Sequence, residues 1–232
     1  PPTEASYPTA TDTVPTPQLV PATTSTLVVS ATPLPEKITL IGAQHEYQTW
    51  NNCGPATLAM ALTYWGWDGD QQPIAAFTKP NSRDKNVMPY ELSDYVLEET
   101  GFEIVYRTGG DIELLKRLLA AELPVIIEKG FEGRDFDGWM GHYVLVTGYD
   151  ETERKFIVQD SYYGPDQSIQ YEDLESNWRA FNFTYLVIYP IERWKDVIVI
   201  LGPNFDVEYS NRSSAQVATE DVVQLAGRDH FF

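Results

Sequence analysis

Gln48-Thr49-Trp50-Asn51-Asn52-Cys53-Gly54-Pro55-Ala56-Thr57-Leu58-Ala59-Met60 is the stretch on which the reading of this chain turns. Asn51 or Asn52 can cap a helix, and Pro55 suits its first turn. Leu58, Ala61, Leu62 and Trp65 form an apolar stripe before Gly66 stops it. Cys53, the single cysteine of the chain, therefore falls at a helix start. Free backbone N–H groups and the helix dipole favour an anion there, and comparable settings bring a thiol from about 8.5 into a range of roughly 3.5 to 7.5. A lone cysteine is ordinarily a small buried hydrophobe, and it is this position that marks Cys53 as a nucleophile. Gly54 would let a substrate backbone approach closely.

The sequence has three histidines, so the search for a base is short. His142 opens a strand, His142 to Thr147, and the chain turns through Gly148 to Arg154 into a second strand, Lys155 to Asp160. A hairpin whose loop centres near Glu151 sets Asp160 directly opposite His142. Opposed residues share a face with Cβ atoms about 4.5 to 5.5 Å apart, close enough for a carboxylate to bond an imidazole nitrogen. A slip of one residue would put the two side chains on opposite faces. Acyl transfer also needs oxyanion donors, which the Cys53 backbone N–H and a nearby side-chain amide can supply. Gln48 is favoured for the latter because it is nearer, with Gln44 as competitor.

Outward from this core, helices are expected over Pro89 to Thr100 and Ile112 to Glu122. Strands are expected near Ile38 to Ile41, over Phe102 to Tyr106, Val125 to Glu128 and Thr184 to Tyr189. Helices dominate the first half and antiparallel strands the second, an α+β arrangement. Residues 1–37 are rich in Pro, Thr, Ser and Ala and read as a flexible linker, 38–190 as the folded domain, and 191–232 as a C-terminal extension, helical over Ser214 to Gly227, whose apolar end Phe231-Phe232 reads either as docking on the core or as a cut within a longer chain. Linkers of this composition commonly hold a domain away from a cell surface, which points to a secreted or surface-tethered protein; a cytoplasmic tail is the alternative.

A net charge of −18 argues against nucleic acid as a partner, because phosphate-binding surfaces need Lys and Arg. No apolar run approaches the roughly 20 residues of a membrane span. Asp135-Phe136-Asp137-Gly138 resembles part of a calcium loop, but Gly133 and Val144 stand where acidic ligands belong. The histidines lack zinc spacing, so no cofactor or metal is expected. Asp68 and Asp70 read as turn residues. Phe131 to Met140 reads either as a flap over the cleft or as an ordinary surface loop, with Trp139 or Tyr162 sheltering the imidazole or walling a subsite.

The Gln48 to Met60 stretch, followed by Gly141-His142-Tyr143-Val144-Leu145-Val146-Thr147-Gly148 and Val158-Gln159-Asp160-Ser161-Tyr162-Tyr163-Gly164, resembles the double-glycine leader peptidases and their relatives, cysteine peptidase family thirty-nine within the papain-like group. The resemblance covers roughly Ile38 to Pro190. It implies a papain-like fold, with the nucleophile's helix packed on an antiparallel sheet, and a Gln, Cys, His, Asp site mapping onto Gln48, Cys53, His142 and Asp160. Two departures stand out: Asn52 replaces the family's frequent Asp, and Gln48 is one residue nearer the cysteine than usual. The expected activity is hydrolysis of a peptide or protein substrate through an acyl-enzyme, as in the stand-alone exported branch. The alternatives are a weak or inactive peptide-binding domain, and a transglutaminase or acyltransferase using the same residues. The segment after Ser210 faintly resembles the start of a tetratricopeptide array.

Overall fold

The computed structural model describes residues 33–81, 85–132 and 138–228, so most of the expected linker, the Asp135–Asp137 segment and Phe231-Phe232 lie outside the described residues. Seven strands, β1 (Lys37–Thr39), β2 (Glu103–Arg107), β3 (Val125–Glu132), β4 (Trp139–Asp150), β5 (Lys155–Asp160), β6 (Gly164–Gln170) and β7 (Tyr185–Tyr189), make one antiparallel sheet in the order β2-β7-β3-β4-β5-β6. β1 pairs with the far end of β4. The helices are α1 (Cys53–Tyr64), α2 (Gln71–Thr78), α3 (Pro89–Glu99), α4 (Ile112–Ala120), α5 (Tyr171–Arg179), α6 (Trp194–Leu201) and α7 (Val207–Arg228).

Alternation along the central strands assigns each residue to one of two cores. Ile126, Leu145, Leu186 and Ile188 face α1, α2 and α3, with Leu58, Met60, Leu62, Ile74, Leu92 and Val96 packed against them. Val125, Ile127, Val144, Val146 and Val187 face the other way, onto Leu115, Leu118, Trp178, Val197 and Leu201 of α4, α5 and α6. Both faces of the sheet are thus covered, and the apolar stripe expected for α1 extends around the whole helix, because Gly54 to Thr63 are all buried. The C-terminal extension begins inside this second core, through Val197 and Leu201, and α7 then ties to β2 where the Ser210 hydroxyl donates to the Thr108 carbonyl at 3.0 Å.

The hairpin register differs from the expected one. The ladder pairs Leu145 with Gln159 and Val146 with Val158, then Gly148 with Ile157 and Asp150 with Lys155. Its loop lies nearer the C-terminus than Glu151, and a bulge at Thr147 inserts one extra residue into β4. Continuing the register beyond Leu145 sets Asp160 across from Val144, not His142. The bulge decides the outcome: without it Asp160 would fall on the opposite face, and with it Asp160 and His142 share a face as diagonal neighbours.

Candidate active site

β5 stays in register with β4 only as far as Leu145, so β4 is left without that neighbour along the stretch that carries His142 and Tyr143. The start of α1 docks there. The Thr57 hydroxyl donates to the Tyr143 carbonyl at 3.1 Å, and the Tyr143 backbone N–H donates to the Cys53 sulfur. Gly54 makes this approach possible, since a Cβ would sit 3.3 Å from the Tyr143 ring and 3.4 Å from Val87. Its close neighbour is therefore the protein's own strand, where the sequence suggested a substrate backbone.

Asn52 occupies the cap position of α1, yet its side chain makes no capping bond to the helix. It points into a buried network instead: Nδ2 donates to Thr49 Oγ1 at 2.8 Å and to Gln71 Oε1 at 3.1 Å, and Lys79 Nζ donates to Asn52 Oδ1. Gln71, at the start of α2, also accepts from Thr49 N and donates to Glu46 and to the Tyr47 carbonyl. This network fixes the segment from Glu46 to Asn52 while leaving the first N–H groups of α1 without a side-chain cap. Asp70, read as a turn residue, caps α2 by accepting from Gln72 N at 2.8 Å.

His142 and Asp160 are each 2% exposed, and His142 Nε2 lies 2.9 Å from Asp160 Oδ1. The diagonal placement explains why the far ring nitrogen reaches the carboxylate, and leaves Nδ1 as the nitrogen available to Cys53. Asp160 Oδ1 also accepts from Tyr162 N at 2.8 Å and Tyr163 N at 3.0 Å. The Phe131 ring stacks on the imidazole at 4.4 Å between centroids, so Phe131 shelters it, while Trp139 and Tyr162 line the same cavity. His45, isolated in the sequence, has Nε2 3.1 Å from the Asp160 carbonyl oxygen.

These neighbours set the protonation states. Burial alone raises the Cys53 thiol, but its hydrogen bond to His142, the imidazolium charge and the N–H groups of Tyr143 and Gly54 bring it below its ordinary value. Burial alone lowers His142; hydrogen bonds to Asp160 and Cys53, with the negative charge of both, outweigh it and raise the imidazole to about 9. Burial raises Asp160, and its bonds to His142 and the Tyr162 and Tyr163 amides pull it below the usual carboxylate range. All three shifts act in the direction of a thiolate–imidazolium pair backed by a carboxylate.

Gln48 lines the same cavity, of about 880 Å³, together with Cys53, Glu128, Phe131, Trp139, His142, Tyr162 and Phe181. Its backbone N–H donates to the Ser161 carbonyl at 2.9 Å, and its Oε1 accepts from Ser161 Oγ at 2.9 Å. That bond holds Oε1 of the amide, and Gln48 shares the cavity with Cys53, whose own N–H as first residue of α1 has no intrahelical acceptor. Gln44 is exposed, with its backbone N–H on Thr63 Oγ1. Ser161 was missed in the sequence, where its only signal is adjacency to Asp160. Ser161→Ala is expected to lower kcat by about 5- to 20-fold with little change in KM, by freeing the Gln48 amide to rotate. Steady-state kinetics check it; a rise in KM alone would show that Ser161 does not act through the oxyanion.

A smaller cavity of about 240 Å³, lined by Lys116, Glu151, Arg154 and Tyr171, holds no Cys, Ser, Thr or His. Among the described residues no group of three or more His, Cys, Asp or Glu could hold a metal ion, and no helix is long and apolar enough to cross a membrane.

Among solved structures, a chain described as a C39-like peptidase from Bacillus anthracis matches with a TM-score of 0.53 at 19% identity, over 67% of this chain and 98% of that one. The peptidase domain of Streptococcus ComA, a bi-functional ABC transporter, matches with a TM-score of 0.50 at 19% identity, over 64% of this chain and 98% of that one. At this identity the likeness establishes the papain-like fold. No curated protein matches. The model of the Peptidase_C39 like family matches residues 40–186, which span the cavity, the Cys53 helix and the His142 and Asp160 strands, and the chain accordingly belongs to that family of cysteine peptidases.

Proposed function

We propose that this chain is a cysteine peptidase that hydrolyses peptide bonds through an acyl-enzyme on Cys53. The observation that carries this reading is the hydrogen-bonded series Cys53, His142, Asp160 in one cavity, with the His142–Asp160 contact at 2.9 Å. The Cys53 thiolate attacks the scissile carbonyl carbon and forms a C–S bond, and the carbonyl oxygen takes the negative charge. The Cys53 N–H and Gln48 Nε2 donate to that oxygen. As the C–N bond breaks, imidazolium His142 gives its proton to the leaving amine. A water then attacks the thioester, His142 takes its proton, and the C–S bond breaks to release the acid and restore the ion pair. Asp160 holds the ring throughout. The Pro/Thr-rich composition of residues 1–37 supports an extracytoplasmic setting.

A peptide library assayed across pH tests this. The thiolate is present above the lowered Cys53 value and lost below it; the imidazolium is present below about 9 and lost above it. Cleavage should therefore be bell-shaped, with its alkaline limb near 9, and should disappear on alkylation of Cys53. Tight peptide retention without cleavage would favour a binding domain, and cleavage that rises steadily through pH 10 would contradict the ion pair.

A further inference from the structure

One carboxyl in the cavity has no part in this chemistry. Glu128 stands directly across the β3–β4 ladder from Tyr143, and the next pair on that face, two residues along, is Gly130 opposite Gly141. These two glycines make a floor without side chains. The Trp139 ring lies over Gly130, 2.6 Å from where a Cβ would be, and the Phe181 ring lies over Gly141, 3.0 Å from the corresponding point. The two rings stack at 5.6 Å with planes 17° apart. Glu128 Oε1 reaches within 3.1 Å of the same point above Gly141, so the carboxyl sits at the end of an aromatic stack, and its ladder partner Tyr143 is the residue after His142 in β4. Among the described residues no Lys, Arg or His lies within ion-pair distance of it.

We propose that Glu128, with Trp139 and Phe181, forms a subsite that selects a peptide carrying a Lys or Arg side chain at one of the three positions before the scissile bond. This rests on the peptidase reading above and names its specificity. An apolar stem lies along the two rings and the cation meets the carboxylate, a pairing of aromatic face and charge that suits ammonium and guanidinium groups. The chain's net charge of −18 adds a long-range attraction for such substrates. Burial raises the Glu128 carboxyl to about 7, with Tyr143 opposing. The titratable groups facing it are Tyr143 and Tyr106, both raised, first by burial and also by the Glu128 charge; Lys85 lines the cavity as well, with Nζ 5.7 Å from the Trp50 ring centroid. Selectivity is therefore lost as pH falls through about 7 and Glu128 takes up a proton.

The test uses short acyl-peptides ending in a thiol-reactive ketone, each carrying Lys or norleucine at one of the three positions before the ketone. The rate of Cys53 labelling is measured for both members of every pair on the same protein. At one position Lys should exceed norleucine by about tenfold at pH 8.5. That ratio should approach one at pH 6, and also at pH 8.5 in Glu128→Gln. Because each ratio is internal to one protein at one pH, general changes in thiol reactivity or folding cancel. Labelling by norleucine peptides with no Lys preference at any position overturns the subsite alone, as does a preference that survives both pH 6 and Glu128→Gln. Failure of every peptide to label Cys53, while iodoacetamide still does, overturns the peptidase reading and the subsite with it.

Discussion

His142→Ala should lower kcat/KM for peptide hydrolysis by at least about 10³-fold, the largest loss expected of any substitution that keeps the nucleophile. Three effects combine. The Cys53 thiol loses the hydrogen bond and positive charge that oppose its burial, so the thiolate becomes scarce at neutral pH. The leaving amine loses its proton donor. Asp160, 2% exposed, keeps its charge beside two backbone N–H groups but loses its cationic partner. That last change should also cost about 2 to 4 kcal/mol of stability, read from urea unfolding at pH 7. A variant with less than tenfold loss of turnover would remove His142 from the chemistry.

Asp160→Ala should be nearly as damaging, by about 10² to 10³ in kcat/KM, because it orphans three donors at once: His142 Nε2 and the N–H groups of Tyr162 and Tyr163. Its signature is in the pH profile. With the carboxylate gone, burial is opposed only by Cys53, so the alkaline limb should move down from about 9 toward the ordinary histidine value of about 6.5. Asp160→Asn restores an acceptor for the two amides without the charge. It should recover much of the stability and little of the alkaline limb, separating a positioning role from a purely structural one. An unchanged limb in both variants would mean that Asp160 only shapes the turn.

The parts of this site legible in the sequence are those set by local rules. Pro55 and Gly66 bound the Cys53 helix, which runs Cys53–Tyr64, and the period-two pattern after Pro124 marks the strands that hold His142 and Asp160. The register expected from the sequence pairs those two residues directly, whereas the structure pairs them diagonally, because a bulge at Thr147 has no sequence signal and the loop closes nearer the C-terminus than Glu151. Parity, which decides the face, came out the same. α2, α5 and β6 were missed; they are short and polar, and their elements are held by tertiary contacts such as Gln71 on Glu46 and Trp178 in the core. Phe131 over His142 and Ser161 on Gln48 were beyond reach for the same reason: the latter bond joins residues 113 apart in the chain. The frequent Asp before the cysteine, here Asn52, proves to sit in a hydrogen-bond network whose members Gln71 and Lys79 no local pattern connects to it.

A Cys53 that rests as a thiolate paired with His142 is what the proposed chemistry requires. The direct measurement is the rate of Cys53 alkylation by iodoacetamide as a function of pH, in the unmodified protein and in His142→Ala. Rapid alkylation is expected, with a midpoint below the ordinary thiol value of about 8.5 that moves upward in His142→Ala, where burial is opposed only by the N–H groups of Tyr143 and Gly54. A midpoint at or above 8.5 that His142→Ala leaves in place would contradict it.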